Sequence, residues 1–235
     1  MGQSSDVKTA VVVGGTSGIG LALARGLASQ NIDVTAAGLE PLPGDEENIR
    51  FVALDIRDDH AVKFLFEQFD HLHALINAAG IIRRQEELEP EVFQQVIDIN
   101  LTGTMRTCAA ARSKLAKAGG AILNIASMLS YFGGGLVPGY STSKGGVMQL
   151  TKSLAIAYAD DDIRVNALAP GWINTPLTKD LQNDPVRNNA ILGRTPMKRW
   201  GDVEELIEPA LFLLGPGARF ITGTMLNVDG GYAAM

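Results

Sequence analysis

The sequence holds one cysteine, Cys108, three histidines, and fewer bases than acids, with 20 Lys and Arg against 26 Asp and Glu. A lone cysteine excludes a disulfide framework and a cysteine-rich zinc site, and it fits a reducing compartment. The net charge of −6 argues against a nucleic-acid partner, whose binders carry a basic face. His71 and His73 alternate at the start of an apolar run without a carboxylate or cysteine cluster, so no metal site is expected. Long apolar runs are also missing. The longest uncharged stretch, Ala118 to Ser143, is broken by six glycines and Pro138, so no membrane helix is expected there. Met1 to Asp6 shows neither the charged and apolar regions of a signal peptide nor the hydroxyl residue that a myristoylation pattern wants at position 6. A soluble, cytoplasmic protein is the expectation.

What the sequence has in excess is glycine, 26 of 235 residues, against a usual share of roughly 7%. Short apolar runs alternate with helical patterns along the whole chain. Thr9 to Val13 reads as a buried strand, and Ile19, Leu23 and Leu27 then recur at helical spacing. Strand patterns follow at 33–37, 50–55, 73–77, 121–126, 163–168 and 225–228. Helical patterns lie between them, with Pro90 suited to a first turn and Asp202 and Glu205 suited to a capping box over 203–214. Pro209 falls inside that last helix and should kink it or remove a hydrogen bond. Glu40 to Asn48 is too short and polar for a helix and is expected to be a loop. Alternating strands and helices imply a parallel sheet with right-handed crossovers. The expected fold is therefore α/β: a doubly wound, seven-stranded parallel sheet in a single domain over 1–235.

Three clusters carry chemistry. Gly14, Gly18 and Gly20 form G-x-x-x-G-x-G directly after the first strand, with Thr16, Ser17 and Ile19 between them. Such a turn lets a pyrophosphate approach backbone N–H groups at a helix N-terminus, although a tight turn alone would also use these glycines. Tyr140 and Lys144, four apart, project from one helix face. Ser127 stands just past the strand ILNIA, and Asn100 lies in VIDINLTG. A tyrosine with a pKa near 10 is a poor base at neutral pH, and a neighbouring ammonium lowers that pKa. Tyr140 then becomes a usable acid/base for the hydroxyl proton of a carbinol, with Lys144 as its helper. Read without Ser127 and Asn100, the same two residues could be an amphipathic surface pair.

Together these residues resemble the short-chain dehydrogenase/reductase family, in its smaller single-domain branch. The resemblance extends over the chain through Asn77-Ala78-Ala79-Gly80, Pro170-Gly171, Thr175-Pro176 and Val228-Asp229-Gly230-Gly231. It implies a Rossmann fold and hydride exchange between a secondary alcohol or ketone and a nicotinamide cofactor. Within it, Ser127 would orient the substrate oxygen, Lys144 would hold the nicotinamide ribose, and Asn100 would fix a proton-relaying water. It further implies that Asp55 receives the adenine amino group with Ile56 beside the ring, an aspartate that could otherwise be a strand-end cap. Asn77, Ala79 and Gly80 would line the adenosine ribose, while Pro170, Ile173 and Thr175 would meet the nicotinamide end. A flap over the substrate is expected at about 172–199, and assembly as a homotetramer or homodimer through helices around 101–116 and 142–158. A non-catalytic dinucleotide sensor or scaffold on the same fold is the alternative, and Tyr140 with Lys144 weighs against it.

The sequence departs from that pattern at Val13, where a threonine usually opens the glycine motif, and at Ala78, where many relatives have asparagine. More telling is the end of the second strand. NAD-preferring relatives often place an acid there and NADP-preferring ones an arginine, whereas this chain has Gly38 and Leu39 followed by Glu40. No cation is placed for a 2′-phosphate and Glu40 would repel one. The expected cofactor is NAD, with NADP less suited.

Overall fold

A computed structural model describes residues 8–235. Met1 to Val7, including the segment read for targeting signals, lies outside the described residues. Seven strands form one sheet in the order β3-β2-β1-β4-β5-β6-β7, with every neighbouring pair parallel. The strands are β1 (Thr9–Val13), β2 (Asp33–Gly38), β3 (Ile49–Ala53), β4 (Ala74–Asn77), β5 (Ala121–Ile125), β6 (Arg164–Pro170) and β7 (Met225–Val228). Strand order reverses at β1, which lies between β2 and β4. This is the switch point at which open α/β sheets leave a crevice beyond the carboxyl ends of the strands.

The period of two along β1 explains why both faces of the sheet are covered. Val11 and Val13 join one apolar core with Phe66, Leu115 and Leu154, whereas Ala10 and Val12 join another with Leu23, Leu206 and Leu213. The first core lies under α2 (Asp59–Glu67), α4 (Gly103–Ala116) and α5 (Pro138–Ala157). The second lies under α1 (Gly18–Ala28) and α8 (Ile207–Leu214). Full burial of each such aliphatic side chain contributes about 1.5–3 kcal/mol, so the strands are fixed from both sides.

Local chemistry sets most helix ends. Asp58 accepts from the N–H groups of His60 and Ala61 at 2.9 and 3.0 Å at the start of α2. Asp202 and Glu205 form the expected capping box, but the helix beyond is not continuous. Val203–Leu206 is a 3-10 turn, and α8 starts afresh at Ile207. That places Pro209 in a first turn, where its missing N–H is not needed, so the expected kink becomes a restart. The 40–48 connection is a loop, as its composition indicated. A second difference lies after α3 (Pro90–Ile97): residues Asp98–Thr102 form a π-turn that joins α3 to α4. Such turns commonly occur at functional sites because they re-aim one side chain. Here that side chain is Asn100.

Candidate active site

At the β1–α1 turn the backbone itself is the surface. Gly14 has φ 81° and Gly18 φ 51°, conformations that L side chains rarely adopt. A Cβ on Gly20 would collide with the carbonyl oxygen of Gly14, and one on Gly14 with the backbone of Ala79. Around Gly18 the space is open. Ser17 caps α1 without a side-chain hydrogen bond, and the first paired intrahelical N–H is that of Leu21, to Ser17 O at 3.1 Å. The N–H groups of Gly18, Ile19 and Gly20 are therefore free to meet an anion at the positive end of the helix. This cradle fits a dinucleotide pyrophosphate.

The catalytic candidates converge beyond β4 and β5. Lys144, 4% exposed, donates from Nζ to Ile125 O at 2.6 Å. Its Nζ stands 5.6 Å from the centre of the Tyr140 ring. A Cβ on Gly80 would lie 3.8 Å from that Nζ and 3.3 Å from Asn100 Oδ1. Ser127 caps a short 3-10 turn, Met128–Ser130, by accepting from Leu129 N–H at 3.1 Å. Ser130 in turn donates to Lys144 O at 2.7 Å, which ties this turn to α5. Helix α5 starts at Pro138, four residues before the sequence pattern indicated, so Tyr140 lies in its first turn.

Two electrostatic expectations change. Burial pushes the Lys144 amine down to about 8. Burial also holds the Tyr140 phenol above its ordinary value, with the Ser127 hydroxyl and the Arg84 guanidinium offsetting this only in part and Glu87 adding to it. Ser127 and Arg84 thus join Lys144 around the phenol, and the Lys144 Nζ, 5.6 Å from the ring centre, is itself bonded to the end of β5. Asn100 is also more committed than the sequence implied. It donates both amide hydrogens, to Ile81 O at 2.9 Å and Ser143 Oγ at 3.1 Å, and accepts from Ile81 N–H at 2.8 Å. With those hydrogens used, its side chain holds the chain after β4 in place.

The remaining cofactor candidates divide by where their side chains point. Asn77 is turned inward, accepting from Thr107 Oγ1 at 2.6 Å and donating to Asn124 Oδ1 at 2.9 Å, so it knits β4 to β5 and α4. Ile56 is buried against Gly103 of α4. Both side chains are turned into the core, so what these two positions would offer a ligand is backbone. Asp55 carries Arg57 on its carboxylate, at 2.6 Å, and that cation holds it well below the usual range. Ala79 and Gly80 flank the crevice through their contacts with Gly14 and Asn100. Leu39 is 66% exposed at the end of β2. Thr16 stands over Gly38 so closely that a side chain there would collide with it. Pro170 closes β6 opposite Val228. The Ile173 side chain is buried, and Thr175 caps the turn Pro176–Thr178.

Residues 174–200 fold as that turn, α6 (Lys179–Asn183) and α7 (Pro185–Arg194), the last capped by Asp184. Arg194 at the end of α7 lies over the rings of Phe132 and Tyr232, 4.8 and 4.3 Å from their centres. Trp172 meets Trp200 and Tyr232 edge-on. Tyr232 carried no signal in the sequence because it enters through the chain end beyond β7. A cavity of about 350 Å³ opens beside these residues, lined by Trp172, Ile173, Met197, Arg199 and Asp229. Tyr140, Ser127 and Lys144 lie outside its lining. Another missed residue is Arg84, part-buried and without an ion pair or hydrogen bond among the described residues. Burial lowers its pKa, Arg187 adds to that, and Tyr140, Glu87 and Asp180 oppose it.

A doubly wound sheet with a glycine cradle at the switch point and a Ser-Tyr-Lys corner beside it defines a dinucleotide-dependent oxidoreductase. Comparison with known proteins agrees. A family described as enoyl-(acyl carrier protein) reductase matches residues 13–233, and the chain belongs to the short-chain dehydrogenase/reductase family. It is 37% identical to the 2-dehydro-3-deoxy-D-gluconate 5-dehydrogenase of Escherichia coli, over 98% of this chain and 97% of that protein. With the enzyme of the same name from Bacillus subtilis it shares 39% identity, over 96% and 94%. Among solved structures it is similar to a gluconate 5-dehydrogenase from Burkholderia cenocepacia in complex with NADP and tartrate. The TM-score is 0.89 and the identity 30%, covering 97% of this chain and 96% of that one. The protein is an oxidoreductase of this family, using a nicotinamide cofactor on CH–OH groups. No helix among the described residues is long and apolar enough to cross a membrane.

Proposed function

We propose that the protein interconverts a hydroxy acid and its keto acid, with Tyr140 as acid/base and NAD as cofactor. The observation that carries this reading is the corner itself: bonds to Ile125, Leu129 and Ser130 fix Lys144 and Ser127 at the open ends of the strands, and the Tyr140 ring centre stands 5.6 Å from Lys144 Nζ. A bound nicotinamide supplies the hydride acceptor or donor. The chain supplies the rest. Gly14, Thr16, Ser17, Gly18, Ile19 and Gly20 hold the pyrophosphate, and Ala79, Gly80 and Lys144 flank the riboses. Ser127 donates to the substrate oxygen, and the Tyr140 phenol exchanges the hydroxyl proton with it. Positive charge from Lys144 and Arg84 favours the phenolate during alcohol oxidation.

An acid substrate is supported by Arg84, a part-buried guanidinium that makes no ion pair among the described residues, acts on the Tyr140 phenol and is suited to a carboxylate. The sugar-acid names of the relatives point the same way. NAD is supported by the loop after β2. Leu39 and Glu40 hold the positions facing the adenosine ribose, and the basic neighbours Arg25 and Arg57 are already paired, with Glu46 and Asp55. The B. cenocepacia enzyme holds NADP, so here the two chains would differ. Residues 172–199 act as the substrate flap in this reading, and copies assemble through α4 and α5, where Met105 and Ile156 are exposed. The deciding experiment assays a panel of polyhydroxy acids and their neutral alcohols with NAD. Tyr140→Phe should lower kcat by about 10²–10⁴-fold while NADH still binds. Undiminished turnover by that variant would exclude Tyr140 as the acid/base.

A further inference from the structure

The turn between β4 and α3 buries a carboxylate that no cation touches. Glu87 is 1% exposed, and it has no ion pair among the described residues. Its Oε1 accepts the Arg83 N–H and its Oε2 the Tyr140 N–H, both at 2.7 Å. The absence of a side chain on Gly139 eases the approach, since a Cβ there would lie 3.3 Å from Oε2. Tyr140 is the third residue of α5, so its N–H is one of the donors that a helix cannot satisfy internally. Val137, at the cap position, offers no side-chain acceptor. Glu87 thus caps α5 from elsewhere in the chain, with its charge at the positive end of the helix. Gln85 fastens the same turn a second time, donating its N–H to Leu136 O at 2.8 Å from a backbone φ of 70°. A glutamine in that region is held by its surroundings.

We propose that Glu87 is a positioning residue for the reaction: one carboxylate grips the backbones of Tyr140 and Arg83, keeping the phenol in register with the Arg84 guanidinium. The proposal rests on Tyr140 being the acid/base. It also has an electrostatic side. The groups facing the phenol are Lys144 on its own helix, Ser127 from the turn after β5, and Arg84 and Glu87 from the turn after β4. Asp180 and Arg187 of the flap act on Arg84. Of these, Arg84 pulls the phenol down and Glu87 pushes it up.

Glu87→Gln keeps the shape but removes the charge and one acceptor. Measured with the best substrate of the panel, its kcat should fall about 10-fold, with NADH affinity unchanged. The acid limb of its oxidation profile should move to lower pH, because less negative charge opposes the phenolate. Glu87→Asp keeps the charge but is one methylene too short to span both N–H groups. Its kcat should fall similarly with the limb unmoved. Thermal unfolding accompanies both. If Glu87→Gln does not fold, Glu87→Asp decides, and a wild-type kcat there overturns the proposal. So does a lowered Tm with wild-type kcat and pH profile in both variants. Full activity in Tyr140→Phe would instead overturn the acid/base reading, whatever the Glu87 variants do.

Discussion

The two ends of the crevice are built by opposite means. At the β1–α1 turn the side chains are missing, and Gly14, Gly18 and Gly20 bring bare backbone to the surface. At the Ser127–Tyr140–Lys144 corner, Lys144 is buried and Ser127 and Tyr140 are part-buried, with backbone partners such as Ile125 O and Leu129 N–H holding Lys144 and Ser127. At Gly14 and Gly20 the first end has no room for an added atom, so there it should fail through geometry and stability. The second carries buried polar groups, so it should fail through chemistry while the fold stands. Phosphate recognition needs close approach, whereas proton transfer needs displaced pKa values.

The largest expected effect strikes the first end. Gly20→Val would drive its Cβ into the Gly14 carbonyl, which no rotamer change relieves. A cost of about 3 kcal/mol or more should lower Tm by about 6–12 °C and abolish NADH binding, followed by calorimetry and fluorescence. A variant that still binds NADH at wild-type affinity would show that the cradle lies elsewhere.

Lys144→Met tests the opposite property. Turnover should fall by about 10²-fold or more, with no loss of Tm at neutral pH in the cofactor-free protein. The sign follows from burial. The amine sits at about 8 in the folded chain against an ordinary 10.5, so folding releases a proton between those values. Stability from this group is present above about 10.5 and is lost as pH falls through about 8, a difference on the order of 3 kcal/mol. The wild type should therefore gain stability from pH 8 to 10.5 relative to Lys144→Met in denaturant titrations. Parallel curves for the two proteins would contradict a buried ammonium.

The smallest effect separates the crevice from its rim. The specificity constant with NAD should exceed that with NADP, and Leu39→Arg should improve NADP use about 10-fold by supplying a phosphate partner. Activity with NAD should barely change, since Leu39 is exposed. A wild type that favours NADP would reverse the cofactor reading while leaving both crevice ends intact.

Elements with a strong local pattern were legible in the sequence. The strands follow apolar runs, the Asp202–Glu205 box follows its spacing, and the 40–48 loop follows its composition. The π-turn at Asp98–Thr102 was not legible, because its residues also suit an ordinary helix and the extra residue is accommodated through Asn100, Ile81 and Ser143, which are distant in sequence. The bonds of the Asn77 side chain to Asn124 and Thr107 were not legible either, because only strand pairing brings those residues within reach.

By itself the sequence determined the parallel sheet, the glycine turn and the set Ser127, Tyr140 and Lys144, because periodicity, turn chemistry and short spacings are properties of neighbouring residues. Tertiary structure decided which groups tune that set. Arg84 and Glu87 reach Tyr140 across the fold, and desolvation, the main influence on both Tyr140 and Lys144, exists only once the chain has closed around them.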